Sequence, residues 1–303
     1  MSYPVAGDDR SREPRLLPAA PAELTDGKLR RLGEGIGKVV YASEHWVVVR
    51  DRSPAEVVAL IVLWRVLRKF ERFLPWGLGA RLLSRPSRRL RLLRLLVQTA
   101  MVIVPRSLWF TGRIRAMWKL YLRRSLKGER LALEHLAGTP LVPQRIVFPP
   151  VRVRVGGWPG SLVVSEAIER VEATLYQRLS DLARAGRFDE VERWLDRFID
   201  LRQSGWKRGL FSVDAHLKNY GVTGDRIVLL DAGGLTDRWQ EIESRLAFEE
   251  VIGQPHIQLG LGPILGGRPE IAARFDARWK SIVNREVVRS HWPTPPPLSK
   301  AAP

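Results

Sequence analysis

Apolar residues alternate with polar ones early in the chain and recur at helical spacing later. Lys28–Leu32, Lys38–Tyr41 and Trp46–Arg50 read as three strands. Gly33-Glu34-Gly35-Ile36-Gly37 and the polar stretch Ser43-Glu44-His45 separate them as turns, so the pattern predicts a β-meander with a glycine-rich first hairpin. Ala55–Leu74, Leu90–Val104, Ile114–Leu126 and Arg130–Leu136 carry helical patterns. Gln144–Phe148, Val151–Val155 and Ser161–Ser165 alternate like strands. Val171–Ala185 and Asp189–Arg202 predict two amphipathic helices, the second with Val191, Trp194, Leu195, Phe198 and Ile199 on one face. Short extended segments, Gly209–Val213 and Arg226–Leu230, flank a polar loop, and the remainder is mostly helical.

Strands first and helices later argue for an α+β chain in two lobes, a small antiparallel β lobe and a mostly helical one. The expected boundaries are a disordered tail over 1–24, a first lobe over 25–168 that includes a basic helical insertion at 53–127, and a helical lobe over 169–290. A proline-rich tail over 291–303 closes the chain.

Charge changes this picture in one place. The chain has 303 residues and a formal net charge of +18. Residues 64–130 hold 18 basic side chains against two acidic ones, Glu71 and Glu129, so one stretch carries nearly the whole excess. Its arginines are interleaved with Leu, Val and Trp. A cationic amphipathic helix of that kind settles in the headgroup region of an anionic bilayer, with Trp76, Trp109, Trp118 and Tyr121 as interfacial anchors. Binding to a nucleic-acid backbone and a plain structural insertion are the alternatives. The longest uncharged run of the insertion, Leu95–Pro105, is 11 residues, short of the roughly 20 needed to span a bilayer. Asp8, Asp9 and Glu13 interrupt any secretion signal, so the expectation is a cytoplasmic protein, peripheral at the inner face of the membrane. With no cysteine, a thiolate metal site and a cysteine nucleophile are excluded.

The candidate chemistry lies in Asp214-Ala215-His216-Leu217-Lys218-Asn219 and, twelve residues beyond Asn219, in Asp231-Ala232-Gly233-Gly234 at the end of an apolar strand. Phosphoryl transfer needs a carboxylate to orient the attacking hydroxyl and hard oxygen ligands for Mg2+. Asp214 suits the first role, and Asn219 and Asp231 suit the second. A turn-capping Asp214 and a strand-end Asx role for Asp231 are the structural alternatives.

The D-x-H-x-x-N pattern at Asp214, His216 and Asn219, followed by Asp231-Ala232-Gly233, resembles the protein-kinase-like superfamily in its small-molecule branch. That branch holds the aminoglycoside and choline kinase-like proteins and the lipopolysaccharide core kinase-like proteins. The resemblance covers residues 28–52 and about 128–250 and leaves 53–127 unmatched. It implies a two-lobed kinase-like fold and an ATP- and Mg2+-dependent phosphotransferase acting on a hydroxyl of a small, saccharide or lipid-linked molecule. Asp214, His216 and Lys218 would then be catalytic, with His216 either an acid–base group or a loop-orienting partner.

The same resemblance assigns Gly33, Gly35 and Gly37 to a phosphate-covering loop and the backbone of Glu166 and Ala167 to an adenine-binding hinge. Glu129, or else Glu134, stands where the family has its helix-borne glutamate. Two departures stand out. Arg50 occupies the place of the family's strand lysine, with Lys38 the alternative, and a planar guanidinium does not substitute simply for an ammonium. No long activation segment follows Asp231, which argues against a protein substrate. The Arg50 substitution also motivates a second reading, a pseudokinase that binds nucleotide as a membrane-associated regulator or scaffold.

Overall fold

The architecture comes from a computed structural model of the chain, which describes residues 14–34, 37–53, 56–57, 112–157 and 159–294. It is mixed α+β with a mostly antiparallel main sheet. Residues 58–74 and 90–104 of the expected helices, and Gly35 of the glycine turn, lie outside the described residues. The chain divides into two compact units. One holds residues 18–122 and 148–167, the other residues 1–17, 123–147 and 168–303.

In the unit of 18–122 and 148–167, the meander forms as its alternation predicts. β2 (Lys28–Glu34), β3 (Lys38–Ala42) and β4 (Trp46–Asp51) run antiparallel, with Val39 opposite Arg50 and Val40 opposite Val49. A bulge between Arg31 and Gly33 shifts the register of β2 on β3. The first residues of β2 pair in parallel with the end of β5 (Arg145–Val155), Lys28 against Arg154 and Leu29 against Val155. Leu29, Val39, Tyr41, Val48, Val153 and Val155 are buried. Strand β5 passes unbroken through Pro149-Pro150, where two strands with a gap were expected. The buried positions change from 146 and 148 before the prolines to 153 and 155 after them, because an odd-numbered step exchanges the two faces of a strand.

The expected N-terminal tail is structured from Arg15 onward. β1 (Arg15–Leu16) pairs in parallel with Ile146 and Val147, and α1 (Ala22–Thr25) buries Leu24. One apolar anchor in a short helix orders a segment whose composition looks tail-like. The two helices expected at 114–126 and 130–136 are a single helix, α2 (Gly112–Leu136), because Lys127-Gly128-Glu129 does not break it.

β6 (Ser161–Glu169) passes into the other unit after Ala167 and leads to β7 (Ala173–Thr174) and α3 (Leu175–Arg184). Helix α3 starts later than its apolar pattern suggests because Thr174 and Gln177 form a capping box, each side chain bonding the other residue's backbone N–H. Helix α4 (Phe188–Trp206) follows Gly186, whose φ of 73° ends the preceding turn. Two small antiparallel ladders come next. β8 (Phe211–Ser212) pairs with β11 (Leu235–Thr236), and β9 (Tyr220–Thr223) pairs with β10 (Arg226–Leu229) and β7. Helices α5 (Trp239–Ile252), α6 (Pro255–Gln258), α7 (Gly262–Leu265), α8 (Pro269–Ile282) and α9 (Arg285–His291) complete it. Its core is aromatic: Phe198 lies edge-on to Tyr220 at 4.8 Å and stacks on Trp279 at 5.9 Å. Trp292, at the start of the expected C-terminal tail, packs against Trp239 at 5.9 Å.

Among the described residues no helix is long and apolar enough to cross a membrane.

Candidate functional site

The Asp214 and Asp231 segments meet because β8 and β11 pair. Ser212 lies opposite Leu235, Phe211 opposite Thr236, and the Val213 N–H donates to the Gly234 carbonyl at 2.8 Å. A side chain at Gly234 would sit 2.8 Å from Asp214 Cβ and 3.0 Å from its backbone nitrogen, so the second glycine of Ala232-Gly233-Gly234 is what lets the two loops touch.

Asn219 ties the loops together from a third direction. Its side-chain Nδ2 donates to the Asp214 carbonyl at 3.2 Å, beside the Ser212 hydroxyl, which donates to the same oxygen at 3.0 Å. The Asn219 carbonyl accepts from the N–H groups of Leu230 at 2.9 Å and Asp231 at 3.3 Å. One asparagine therefore holds the backbone next to both carboxylates. With its nitrogen committed to Asp214, its Oδ1 is the atom left to bind a ligand. Asp231 is held in an Asx turn, its Oδ1 accepting from the Gly233 N–H at 2.8 Å. Asp214 and Asp231 are both exposed.

No three His, Cys, Asp or Glu side chains cluster as metal ligands among the described residues. The Asp231 carboxylate and the Asn219 amide oxygen are nevertheless hard donors, and Mg2+ needs only one or two carboxylates because it keeps several waters. The residues fit that ion better than a softer one.

His216 is built into the loop. Its Nδ1 accepts from the Lys218 N–H at 3.2 Å and starts the 3-10 turn Leu217–Asn219. The ring rests on Gly260, a glycine with φ 86°, where any side chain would come within 2.7 Å of Nε2. Through these contacts the ring braces the loop. Lys218 is exposed beside it, its Nζ over the Tyr176 ring at 5.0 Å.

Helix α2 backs the Asp231 segment. A Cβ at Gly128 would overlap the Ala232 carbonyl oxygen and lie 3.1 Å from Gly233 Cα, so the helix reaches this segment only through a glycine. One residue earlier, Lys127 pairs with Asp237 at 2.9 Å. Burial by itself would raise the Asp237 pKa, but the Lys127 hydrogen bond and charge outweigh it and hold the carboxyl below its usual value. Glu129 follows Gly128 and accepts from Ser125 Oγ at 3.5 Å. Glu134 pairs with Arg130 on the exposed face of the helix.

The remaining expected residues belong to the other unit. Arg50 directs Nη1 to Glu56 Oε2 at 3.0 Å and Nη2 to Glu56 Oε1 at 2.8 Å, a bidentate pair that Ser53 supports through its N–H to Oε2 at 2.8 Å. The hydrogen bond to Glu56 raises the Arg50 pKa. Glu56 is held below the usual carboxylate value, because Arg50 and Ser53 outweigh its desolvation. Arg50, expected to present its fork to phosphate, directs both terminal nitrogens to Glu56, six residues away. Gly33 lies inside β2 with open space around it, and the Gly37 carbonyl accepts from the Arg52 N–H at 2.7 Å. Glu166 and Ala167 lie within β6 rather than beyond the expected strand end at Ser165, so the strand runs through the expected hinge. The boundary between the two units falls immediately after Ala167.

Sequence reasoning missed Gly128, Ser212, Gly260 and Glu56. Only Gly128 carried a signal, as an isolated glycine within a helical pattern, which points to close backbone approach. Comparison with known proteins finds no matching family model, no similar curated protein and no similar solved structure.

Proposed function

We propose that the chain is a phosphotransferase of protein-kinase-like type. It moves the γ-phosphoryl group of ATP, with Mg2+, to a hydroxyl of a small-molecule, saccharide or lipid-linked acceptor at a membrane surface. The observation that carries this reading is the double use of Asn219, which bonds the Asp214 carbonyl through its side chain and the Asp231 N–H through its backbone. Two loops with opposite jobs, one for the acceptor hydroxyl and one for the metal-bound phosphates, are thereby held in register.

In the reaction, the acceptor oxygen forms a bond to the γ-phosphorus while the bond from that phosphorus to the β–γ bridging oxygen breaks, leaving ADP. Asp214 takes the hydroxyl proton, and Lys218 neutralises the transferred group. Mg2+, when bound, would be held by Asn219 and Asp231 and would offset charge on the phosphates. His216 holds the loop. The cationic stretch 64–130 supplies the affinity for anionic lipid, where each basic group near the surface contributes about 1 kcal/mol.

The test is ADP and phospho-product formation by the purified chain with Mg-ATP and a panel of hydroxyl acceptors, including lipid-linked sugars. Asp214→Asn is expected to lower turnover by about 10²–10⁴-fold. Equal turnover by the variant refutes the assignment. Flotation with anionic but not neutral liposomes supports the membrane reading. Steeply salt-dependent RNA binding that is lost on deleting 64–130 supports a nucleic-acid partner in its place.

The Arg50–Glu56 pair favours a second reading, a pseudokinase that binds nucleotide without transferring phosphate and acts as a membrane-associated regulator or scaffold. A thermal shift with Mg-ATP, together with no product across the whole panel, selects it.

A further inference from the structure

From Arg123 to Leu136, helix α2 has two unlike faces. Gly128, Leu131 and Leu136 are buried, and Gly128 is the position that meets the Ala232-Gly233 backbone. Arg123, Leu126, Arg130 and Leu133 are exposed, Leu126 at 56% and Leu133 at 49%. At about 100° of turn per residue, these four positions fall in one stripe about 80° wide, and Gly128 lies about 180° from its middle. Leu126 and Leu133 form one row and Arg123 and Arg130 a second row beside it, each pair two turns apart. In the sequence the basic register continues backward with Lys119 and Arg115, one and two turns before Arg123.

The face is cationic as well as apolar. Its one carboxylate, Glu134, pairs with Arg130 at 3.3 Å, with the two side chains 51% and 70% exposed. An ion pair so open to water is weak and yields to a better counter-ion. Glu129, on the flank of the stripe, accepts from Ser125 Oγ. A nucleic-acid backbone would match the arginines and offer the leucines nothing to enter. A second copy of the face would bring two arginines for each glutamate, a net repulsion. An anionic bilayer meets both rows, because leucines enter the boundary between headgroups and acyl chains while guanidiniums stay at the phosphates.

We propose that the Arg123, Leu126, Arg130 and Leu133 face of α2 is the surface on which the chain docks to an anionic bilayer, with the helix lying in the interface plane. The proposal rests on the membrane-surface reading above. It adds where the contact lies, carries it past residue 130 to Leu133, and fixes which way the chain is turned. Residues 123–136 and the Asp231 segment belong to the same unit. Since Gly128 opposes the stripe, docking holds Ala232-Gly233 on the far side of the helix, about 10 Å from the headgroups.

The chain has no cysteine, so one introduced cysteine carries a fluorophore at a single place. Full-length Leu126→Cys, Leu133→Cys and His135→Cys chains are labelled with a polarity-sensitive dye and mixed with vesicles that contain a quencher on the acyl chain. His135 is also exposed on α2 but lies about 160° round the helix from Leu133. With equal phosphatidylglycerol and phosphatidylcholine, the labels at 126 and 133 are expected to shift to the blue and be quenched, and the label at 135 to do neither. Phosphatidylcholine alone should affect none of them. In flotation, Arg123→Gln with Arg130→Gln should weaken affinity by about thirtyfold, about fivefold for each charge. Leu126→Gln with Leu133→Gln should weaken it by about tenfold or more. All four side chains are exposed, so both double variants should keep the parent Tm. Binding with equal quenching at 133 and 135 would overturn this face and leave the membrane reading standing, whereas a parent chain that floats with neither vesicle would overturn both. An arginine variant that weakens while the leucine variant does not would mark a purely electrostatic phosphate contact and refute the proposal. So would a doubled mass in light scattering that the leucine variant returns to the monomer.

Discussion

Gly128→Ala is the substitution whose outcome follows most directly from the geometry. In an isolated helix, alanine in place of glycine is favourable by about 1 kcal/mol, because glycine loses more backbone freedom on folding. Here the added methyl would overlap the Ala232 carbonyl oxygen, lie 2.7 Å from its carbonyl carbon and lie 3.1 Å from Gly233 Cα. All three are backbone atoms and none can swing aside as a side chain does. Ordinary contact with the carbonyl carbon alone requires about 1 Å of retreat by α2 or by the Asp231 segment. Overpacking costs about 1–3 kcal/mol, and against unyielding backbone the upper part of that range applies, so after the helical gain the expected net effect is a loss of about 1–2 kcal/mol. At about 2–4 °C per kcal/mol for units of this size, Tm should fall by several degrees. The assay is paired calorimetry and urea unfolding, with Gly205→Ala as the control. Gly205 also lies in a helix, but a methyl there meets nothing closer than the Leu210 carbonyl at 3.5 Å, so that variant should be neutral or more stable. If Gly128→Ala melts at or above the parent temperature, α2 does not rest on the Ala232-Gly233 backbone and the described support of Asp231 is wrong.

Other expectations follow from single contacts. Gly260→Ala should lose about 2 kcal/mol, partly from its φ of 86° and partly from collision with the His216 ring, and adding His216→Ala should recover only the second part in a double-mutant cycle. Glu56→Gln should cost about 1 kcal/mol at neutral pH by removing the pair with Arg50. Because the folded Glu56 pKa is depressed, the pair stabilises above the unfolded carboxyl value and that stability is lost as pH falls through the folded value. The difference between parent and variant should therefore shrink on acid titration of Tm, and a difference that grows toward acid would contradict the pairing. Thr174→Ala should lose about 1 kcal/mol through the α3 capping box, measured by urea unfolding, whereas a change below a few tenths would mean the box contributes nothing.

What the amino-acid order determined on its own is local. The alternation in β2, β3 and β4, the apolar face of α4 and the order of Asp214, Asn219 and Asp231 were all legible, because strand and helix periods and motif spacings are properties of neighbouring residues. Helix starts and strand ends were less so. Thr174 delays α3 and Pro149-Pro150 fails to interrupt β5, since a cap or a paired neighbour outweighs the apolar pattern. Residues 15–24 looked like tail because a single leucine anchor, Leu24, hardly alters composition. Partner choice was not legible at all. Arg50 could have faced any carboxylate within reach, and the fold gave it Glu56. Arg202 reads in the chain as one more residue of a polar helical turn, yet packing buries it against Phe211 and Trp279. Such outcomes depend on which surfaces meet in three dimensions and on what each meeting does to desolvation and charge, and no window along the chain contains that information.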